Sequence, residues 1–144
     1  MTRTLLELSD RLELQDLVTA YATCIDARDF DGLDAVFTPD AHVDFGASGG
    51  PSDAYPAVRA WLAETLPLFA ATQHLMGNLA VTLDGDTASG RCMCFNPMAL
   101  APVTEKDQRV FFYGLWYVLR FARTGDGWRV TRLEQQQAYH HNLP

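Results

Sequence analysis

Thr72-Gln73-His74-Leu75-Met76-Gly77-Asn78 lies at the middle of the chain, and the rest of the sequence is best understood from this stretch. His74 opens a run of alternating apolar residues, 75–83, after a segment of helical character has ended. An ionisable ring is thereby placed at the mouth of a strand, where the interior is easiest to reach. We predict that His74 works with Asp26, at the end of the first helix, inside a small hydrophobic pocket.

Length and composition are typical of one globular domain, which we expect to span residues 1–144. Hydrophobic residues make up 48% of the chain and charged residues 20%. The formal net charge is −7, from 11 Lys and Arg against 18 Asp and Glu, and no basic stripe exists. Nucleic acid is therefore not expected as a partner.

The cysteines and the N-terminus bear on the cellular compartment. Cys24, Cys92 and Cys94 lack the spacing of a zinc or redox motif, and Cys92 and Cys94 are expected to pack on one strand face. The N-terminal apolar residues are interrupted by charges, so we expect no signal peptide. No stretch approaches the ~20 apolar residues that a membrane span needs. These features predict a cytoplasmic protein without a membrane partner.

Three helices are predicted in the first half of the chain. Apolar residues at three-and-four spacing indicate a long amphipathic helix over residues 5–26. Residues 29–37 are typical of a short helix that Asp29 caps and that ends before Pro39. Residues 56–69 form the third helix, with a proline in its first turn. The apolar stripe of the first helix comprises Leu8, Leu12, Leu14 or Gln15, Val18, Tyr21, Ala22 and Ile25.

The second half is predicted to be β-structure, introduced by a short strand at residues 41–45 and a glycine-rich loop. Asp84-Gly85-Asp86 and Thr124-Gly125-Asp126-Gly127 have the composition of tight turns between antiparallel strands. The later strands are expected at residues 74–83, 87–98, 109–123 and 128–139, with a long loop at 99–108.

Helices at the front of the chain and a meander of strands behind them indicate an α+β fold. We predict a cone-shaped half-barrel in which three helices pack on a strongly curved mixed or antiparallel sheet. Such a sheet, wrapped over the first helix, would enclose a pocket.

This order of elements, together with local motifs, resembles the SnoaL-like branch of the nuclear transport factor 2-like superfamily. The motifs are Tyr21-Ala-Thr-Cys-Ile-Asp26, Leu33-Asp-Ala-Val-Phe-Thr-Pro-Asp40-Ala-His-Val-Asp44, the stretch from Thr72 to Asn78, and Gly127-Trp128-Arg129-Val130. The likeness covers nearly the whole chain. It implies the cone-shaped fold, but it leaves the reaction open, because members include dehydratases, dehydrochlorinases, isomerases, polyketide cyclases and non-catalytic subunits.

The resemblance also implies a catalytic set. Asp26 and His74 match the Asp–His pair of scytalone dehydratase, hexachlorocyclohexane dehydrochlorinase and bile acid 7α-dehydratase, and Tyr21 matches the active-site tyrosine of the bile acid enzyme. Met98 stands nearest to a second histidine of scytalone dehydratase, and Gln137 stands where the bile acid enzyme has an arginine. Reactions that require that extra acid or cation are therefore not implied.

An Asp–His pair of this kind performs a definite task. The carboxylate fixes the imidazole tautomer and stabilises the imidazolium, so the ring can remove a proton next to a carbonyl or a leaving group. Tyr21 could donate a hydrogen bond to an oxygen that gains charge. The scheme needs no cofactor and no metal. The substrate pocket is predicted to include Asn78, Met98, Tyr113, Tyr117 and Gln137.

Structural roles compete with these functional ones. A histidine at a strand start is more often structural than catalytic, and Asn78 has an equally good account as a partner of nearby backbone. His42-Val43-Asp44 could suggest a metal with His74, but nothing supplies a convincing third and fourth ligand.

The sequence therefore predicts a cofactor-independent lyase or isomerase, preferably a dehydratase, with Asp26 and His74 as general base. Its substrate would be a small apolar cyclic compound such as a polyketide, steroid or terpenoid. A polyketide cyclase, or a non-catalytic subunit resembling the small subunit of a ring-hydroxylating dioxygenase, remains the alternative. An exposed sheet face also predicts a homodimer or homotrimer.

Overall fold

The computed structural model describes residues 2–102 and 104–144 of the chain. In these residues two α-helices and eight β-strands follow one another, with short 3₁₀ turns between some of them. The helices are α1 (Leu5–Ala27) and α2 (Tyr55–Thr65). The strands are β1 (Phe37–Asp44), β2 (Ser52–Ala54), β3 (Phe69–Thr72), β4 (Leu75–Asp84), β5 (Thr87–Phe95), β6 (Met98–Leu100), β7 (Val110–Thr124) and β8 (Gly127–His141).

The strands form a mixed sheet with the order β2-β1-β8-β7-β5-β4. β1 runs parallel to β8, whereas the other pairs are antiparallel, and β6 joins the start of β7 to β3. The sheet is open and strongly curved, and the helices pack on it. This confirms the predicted α+β half-barrel, with two helices in the described chain in place of three.

The second predicted helix is a single 3₁₀ turn, Gly32–Ala35. It cannot continue, because Phe37 is already extended and paired with Val130 of β8. The third predicted helix ends at Thr65 and not at residue 69. Pro67, which has no N–H to donate, follows in a 3₁₀ turn, so regular α-helix stops before it.

Helix α1 begins with a capping box. The Thr4 hydroxyl accepts from the Glu7 backbone N–H at 3.1 Å, while the Glu7 carboxylate accepts from the Thr4 N–H at 2.7 Å. The predicted apolar stripe is correct from Leu14 onward but wrong in the first turns, where Leu8 and Leu12 are 45% and 63% exposed. The buried residues of α1 are Asp10, Leu14, Leu17, Val18, Tyr21, Ala22 and Ile25.

In the first turns of α1 the buried side chain is Asp10, and not the leucines that the predicted stripe placed there. Its two carboxylate oxygens each accept from the Arg123 guanidinium at 2.8 Å, and one also accepts from the Trp128 indole N–H at 3.0 Å. The hydrogen bonds from Arg123 are the main reason that the pKa of Asp10 lies below its ordinary value. This buried ion pair ties the start of α1 to β7 and β8.

Two pairs of strands are interrupted at the same level of the sheet. β3 ends at Thr72 and β4 begins at Leu75, so His74 lies between strands and not inside the predicted strand 74–83. Across from it, β5 ends at Phe95 and β6 begins at Met98. The predicted strand 87–98 is therefore broken before its end, and β6 continues into the predicted loop 99–108. The Gln73 N–H donates to the Pro97 carbonyl at 3.0 Å and holds the two breaks together.

The core lies between the helices and the concave face of the sheet. Side chains with less than 2% exposure include Leu14, Ile25, Val58, Tyr117, Trp128 and Leu133. Cys92 and Cys94 are buried there as free thiols, and burial raises the pKa of each to about 12. In the part of the chain that the structure describes, no helix is both long and apolar enough to cross a membrane. The cytoplasmic location stays a prediction.

Candidate active site

The Asp26–His74 pair forms where α1 ends beside the break between β3 and β4. The Asp26 carboxylate accepts from His74 Nδ1 at 2.7 Å, and its other oxygen accepts from the His74 backbone N–H at 2.7 Å. The His74 side chain is 7% exposed and that of Asp26 25% exposed. Both ring plane and backbone of His74 are therefore fixed by one carboxylate.

Two further side chains hold Asp26 in place. The Thr72 hydroxyl donates to the Asp26 carboxylate at 3.0 Å and itself accepts from the Arg28 guanidinium at 2.7 Å. Arg28 is the residue after α1 and adopts a left-handed conformation with φ 60°, which directs its side chain back over the helix end. Burial acts to raise the pKa of Asp26, but the hydrogen bonds from His74 and Thr72 outweigh it and lower this pKa.

These contacts determine the tautomer of His74. An ionised carboxylate can only accept hydrogen bonds, so the ring proton must lie on Nδ1. In the neutral ring, Nε2 is then the nitrogen with a free lone pair. Among the described residues Nε2 has no hydrogen-bond partner, and His74 lines a cavity between the helices and the sheet. In this tautomer the pair thus presents the lone pair of Nε2 to the cavity.

The cavity has a volume of about 330 Å³, which is within the range of small-molecule sites. Its walls are mainly aromatic and aliphatic, with Phe45 and Trp61 in contact on one side and Phe69 and Phe111 on another. The remaining lining residues are Tyr21, Ile25, Ser48, Leu62, Thr65, Leu66, His74, Asn96, Met98, Tyr113, Tyr117, Gln135, Leu143 and Pro144.

Four linked polar side chains form what we call the polar floor of the cavity: Tyr21, Tyr117, Gln135 and Ser48. The two phenol oxygens are 3.3 Å apart, the Gln135 amide donates to the Tyr117 hydroxyl at 3.2 Å, and Ser48 donates to Gln135 at 2.5 Å. Burial raises the pKa of both Tyr21 and Tyr117. The two phenols therefore stay protonated at neutral pH, and one of them donates to the other.

The C-terminal residues contribute to the wall of the cavity. Leu143 and Pro144 line it, after Asn142 turns the chain with φ 55°. The Arg109 guanidinium donates to the carbonyls of Asn142, at 2.9 Å, and of Leu143. The Asn142 amide donates in turn to the Val110 carbonyl at 2.9 Å. The start of β7 thus fastens the tail against the cavity.

The structure brings most of the predicted site residues together. Tyr21, His74, Met98, Tyr113 and Tyr117 line one cavity, and Asp26 lies directly behind His74.

Asn78 and Gln137 lie elsewhere, and their placement corrects the prediction. Asn78 occupies a bulge in β4 with φ 52°, and its exposed amide contacts the sulfur of Met93 at 3.1 Å, on the outer face of the sheet. Gln137 is exposed and does not line the cavity. Gln135, two residues earlier on β8, takes the inward position because Tyr117 and Ser48 hold it there.

Sequence reasoning missed several polar residues of the site. Thr72 stands in the central stretch only two residues before His74, and its hydroxyl could have been considered as a partner of the carboxylate. Asn96 precedes Pro97, and an Asn-Pro pair inside a predicted strand is a signal for a break that places a side chain out of the regular alternation. No local signal marks Arg28 or Ser48, whose roles depend on distant elements.

A metal centre finds no support in the side-chain arrangement. Across residues 2–102 and 104–144, no three His, Cys, Asp or Glu side chains are grouped so that they could hold a metal ion. His42, which the sequence associated with a metal, contacts the Ser52 hydroxyl at 3.0 Å.

Several proteins of known sequence or structure are similar to this chain. An uncharacterised protein of Mycobacterium tuberculosis is 48% identical over 133 residues, which cover 92% of this chain and 88% of that protein. A candidate aromatic ring hydroxylase from Novosphingobium aromaticivorans is 30% identical, with a TM-score of 0.81 and coverage of 92% of this chain and 91% of that chain.

More distant structures share the fold. A candidate scytalone dehydratase from Novosphingobium aromaticivorans has a TM-score of 0.83 at 16% identity, covering 96% of this chain and 90% of that one. A type 2 hexachlorocyclohexane dehydrochlorinase has a TM-score of 0.80 at 20% identity, covering 96% and 91%. The model of the SnoaL-like domain matches residues 6–134. With this match and the curved sheet that carries the cavity, the chain belongs to the SnoaL-like domain family.

Proposed function

We propose that the protein is a cofactor-independent lyase or isomerase, with dehydration as the preferred reaction. The observation that carries this proposal is the Asp26–His74 hydrogen bond of 2.7 Å beside an apolar cavity that His74 lines. The occurrence of a dehydrochlorinase and a candidate dehydratase among proteins of the same fold supports a reaction that begins with removal of a proton.

In this proposal His74 Nε2 removes a proton from a carbon atom of the substrate. Asp26 stabilises the imidazolium that forms, and general base catalysis of this kind contributes a factor of about 10²–10⁴. In a dehydration the electron pair left on carbon forms a C=C bond while a neighbouring hydroxyl leaves and takes the proton from the imidazolium as water. In an isomerisation the pair moves to an adjacent carbonyl, and the imidazolium returns the proton to another carbon. Tyr21, which is protonated at the cavity floor, donates a hydrogen bond to the oxygen that gains charge.

The cavity supports a small, largely apolar cyclic substrate such as a polyketide, steroid or terpenoid fragment. Aromatic walls bury ring systems well, and only a few polar groups reach the interior. Exclusion of water by these walls also strengthens each hydrogen bond made at the reacting atoms. A polyketide cyclase would use the same base in the same cavity, so it remains a second outcome of the same experiment.

The first prediction concerns the two members of the pair. The wild type, His74→Ala and Asp26→Asn are incubated with a panel of cyclic hydroxy-ketones, and binding by native mass spectrometry is compared with conversion by chromatography. We expect ligands to bind all three proteins, with conversion lowered about 10²–10⁴-fold in both variants. His140→Ala, at an exposed histidine of β8, is the matched control and should convert at the wild-type rate.

Equal conversion by wild type and His74→Ala would refute the proposal. If no compound of the panel binds or is converted while the native mass shows a stable assembly, the result favours the alternative function, a non-catalytic subunit.

A further inference from the structure

Asn96 is a buried polar residue of the cavity whose orientation is fixed. It is 4% exposed, lines the cavity, and its side-chain oxygen accepts from the Tyr113 backbone N–H at 3.0 Å. A backbone N–H can only donate, so the atom that faces Tyr113 must be the amide oxygen and not the nitrogen. The NH₂ group of Asn96 is therefore the end that remains available.

That NH₂ group has no acceptor among the described residues. The amides of Asn78 and Asn142 each contact a neighbouring atom, the sulfur of Met93 and the carbonyl of Val110. In the described chain the fully buried side-chain atoms without a partner are Arg11 Nε and Thr38 Oγ1, so the NH₂ group of Asn96 is not fully buried and opens onto the cavity that the residue lines. A molecule that fills the cavity excludes water from this donor, so binding is favoured when the molecule presents an oxygen to Asn96.

Asn96 also lies across from His74. Leu75 pairs with Phe95, and Thr72 pairs with Met98, so residues 73–74 and 96–97 face each other between these two pairs. The bond from the Gln73 N–H to the Pro97 carbonyl, 3.0 Å long, closes this junction. A base and an unpaired donor thus enter one cavity from adjacent segments of the same sheet.

We propose that Asn96 is a catalytic residue that donates a hydrogen bond from its NH₂ group to a ketone oxygen of the substrate. The proposal rests on the proposed function, since it assigns the substrate class to the same site. His74 Nε2 takes the proton from the carbon next to the ketone, the C–H pair forms a C=C bond, and the C=O π pair moves to oxygen. The resulting enolate oxygen accepts from Asn96.

The next step removes the charges of the enolate and of the His74 imidazolium. In an elimination, the enolate pair re-forms the C=O bond while a new C=C bond forms and the β-hydroxyl leaves with its bonding pair. The proton on His74 joins that hydroxyl to give water. Without a leaving group, the imidazolium returns its proton to carbon. In deuterated water this reversal exchanges hydrogen for deuterium at the carbon next to the ketone.

The hydrogen bond from Asn96 stabilises the enolate more than the ketone, because hydrogen bonds to a charged oxygen are roughly twice as strong as those between neutral groups. Loss of one donor of this kind lowers a reaction rate by about 10²–10³-fold. The ground-state ketone should gain less, on the order of tenfold in affinity over a matched compound without the oxygen.

The test uses 1-tetralone and tetralin, two bicyclic probes that differ only in the ketone oxygen. Asn96→Asp keeps an oxygen for the Tyr113 N–H but replaces the NH₂ donor by an acceptor. Asn96→Leu removes the donor without adding charge and guards against an effect of the new carboxylate on His74. His74→Ala removes the base alone. Dissociation constants are measured by calorimetry and deuterium incorporation by NMR, after thermal melting has shown that each variant folds.

The wild type should prefer tetralone, and both Asn96 variants should lose the preference while binding tetralin as before. Deuterium exchange should fall about 10²–10³-fold in both. His74→Ala should keep the preference and lose the exchange. A ketone preference that survives in the Asn96 variants, or its absence from the wild type, overturns the inference. Preference that depends on Asn96, without any exchange by the wild type, would sustain Asn96 as the ketone-binding group and refute the proposed function instead.

Discussion

At the scale of single residues, the site depends on the hydrogen bonds that the two oxygens of one carboxylate accept. Asp26 accepts from the ring and the backbone of His74 and from the Thr72 hydroxyl, so it orients the imidazole ring and fixes the segment that carries it. A carboxylate that served the ring alone would leave the backbone free to shift. The orientation of the His74 ring and the local folding are therefore coupled through Asp26.

This coupling predicts a pH dependence of stability. The pKa of Asp26 lies below its ordinary value of 3.8 in the folded protein, so its ionised form is favoured by folding. Such a group contributes stability that is fully present above the unfolded pKa and is lost as the pH falls through the lower folded pKa. The difference in the free energy of unfolding between wild type and Asp26→Asn should shrink as the pH is lowered from about 5 to about 2.

Urea denaturation at several pH values measures this difference. Asp16→Asn, an exposed position on the same helix, provides the control and should show no such trend. A difference that stays constant down to the acid end would contradict the role of Asp26.

The residues of the pair could be predicted from sequence because each lies in a short local motif. Asn78 could not, since the bulge that turns its side chain outward depends on the register between β4 and β5. Asn96 was missed for a similar reason: the break before β6 changes which side chains face inward, and it arises from pairing with β3. Alternation along a strand predicts a face only while the strand remains regular.

At the scale of elements, the buried Asp10 fixes where α1 begins to pack. We expect Asp10→Ala to destabilise the fold, because the indole N–H of Trp128, which is 2% exposed, would lose its acceptor at a cost of about 1–3 kcal/mol. Chemical denaturation gives the free energy of unfolding. Asp16→Ala makes the same change on the exposed side of α1, and if it proved as costly, the ion pair would have no special role.

The tail is the second element with a testable role. Arg109→Gln removes the guanidinium that donates to Asn142 and Leu143, so the tail should leave the cavity wall. We expect the NMR order parameter of the Leu143 amide to fall from about 0.85 to below about 0.6. Arg120→Gln, at an exposed arginine of β7, should leave it unchanged. An order parameter that stays high in Arg109→Gln would show that other contacts hold the tail.

Periodicity predicted the long elements well and the short ones poorly. Helices α1 and α2 and strands β4, β5, β7 and β8 follow from regular apolar patterns. Capping signals predict a helix around the 3₁₀ turn Gly32–Ala35, because they do not reveal that the next residues must join the sheet. Strands of three or four residues, such as β3 and β6, contain too few residues to show a period.

At the scale of the whole molecule, the outer face of the sheet exposes a group of large apolar side chains. Leu75, Met93, Phe95 and Tyr139 are 66%, 41%, 38% and 53% exposed, and together with Trp116 they line a groove of about 330 Å³. No charged residue lines this groove in the described chain. An uncharged apolar patch can meet its own copy without repulsion, so we propose that a second copy of this chain covers it.

Oligomeric state tests this proposal. Light scattering after size-exclusion chromatography should give a homo-oligomer for the wild type and a monomer for Met93→Glu, because a buried unpaired charge opposes association. Thr82→Glu adds the same charge at an exposed position farther along the sheet, outside the groove, and should leave the assembly intact. A monomeric wild type, or an assembly that tolerates Met93→Glu, would contradict it.

The polar floor has a consequence for how this cavity can be redesigned. Tyr21, Tyr117, Gln135 and Ser48 bind one another across a helix, two strands and a loop, so a change at any of them disturbs all four. Trp61, Phe69 and Leu143 line the cavity without taking part in that network. A mutant library meant to widen the range of compounds that the cavity binds should therefore randomise these three positions and keep the polar floor constant, so that most of its members still fold.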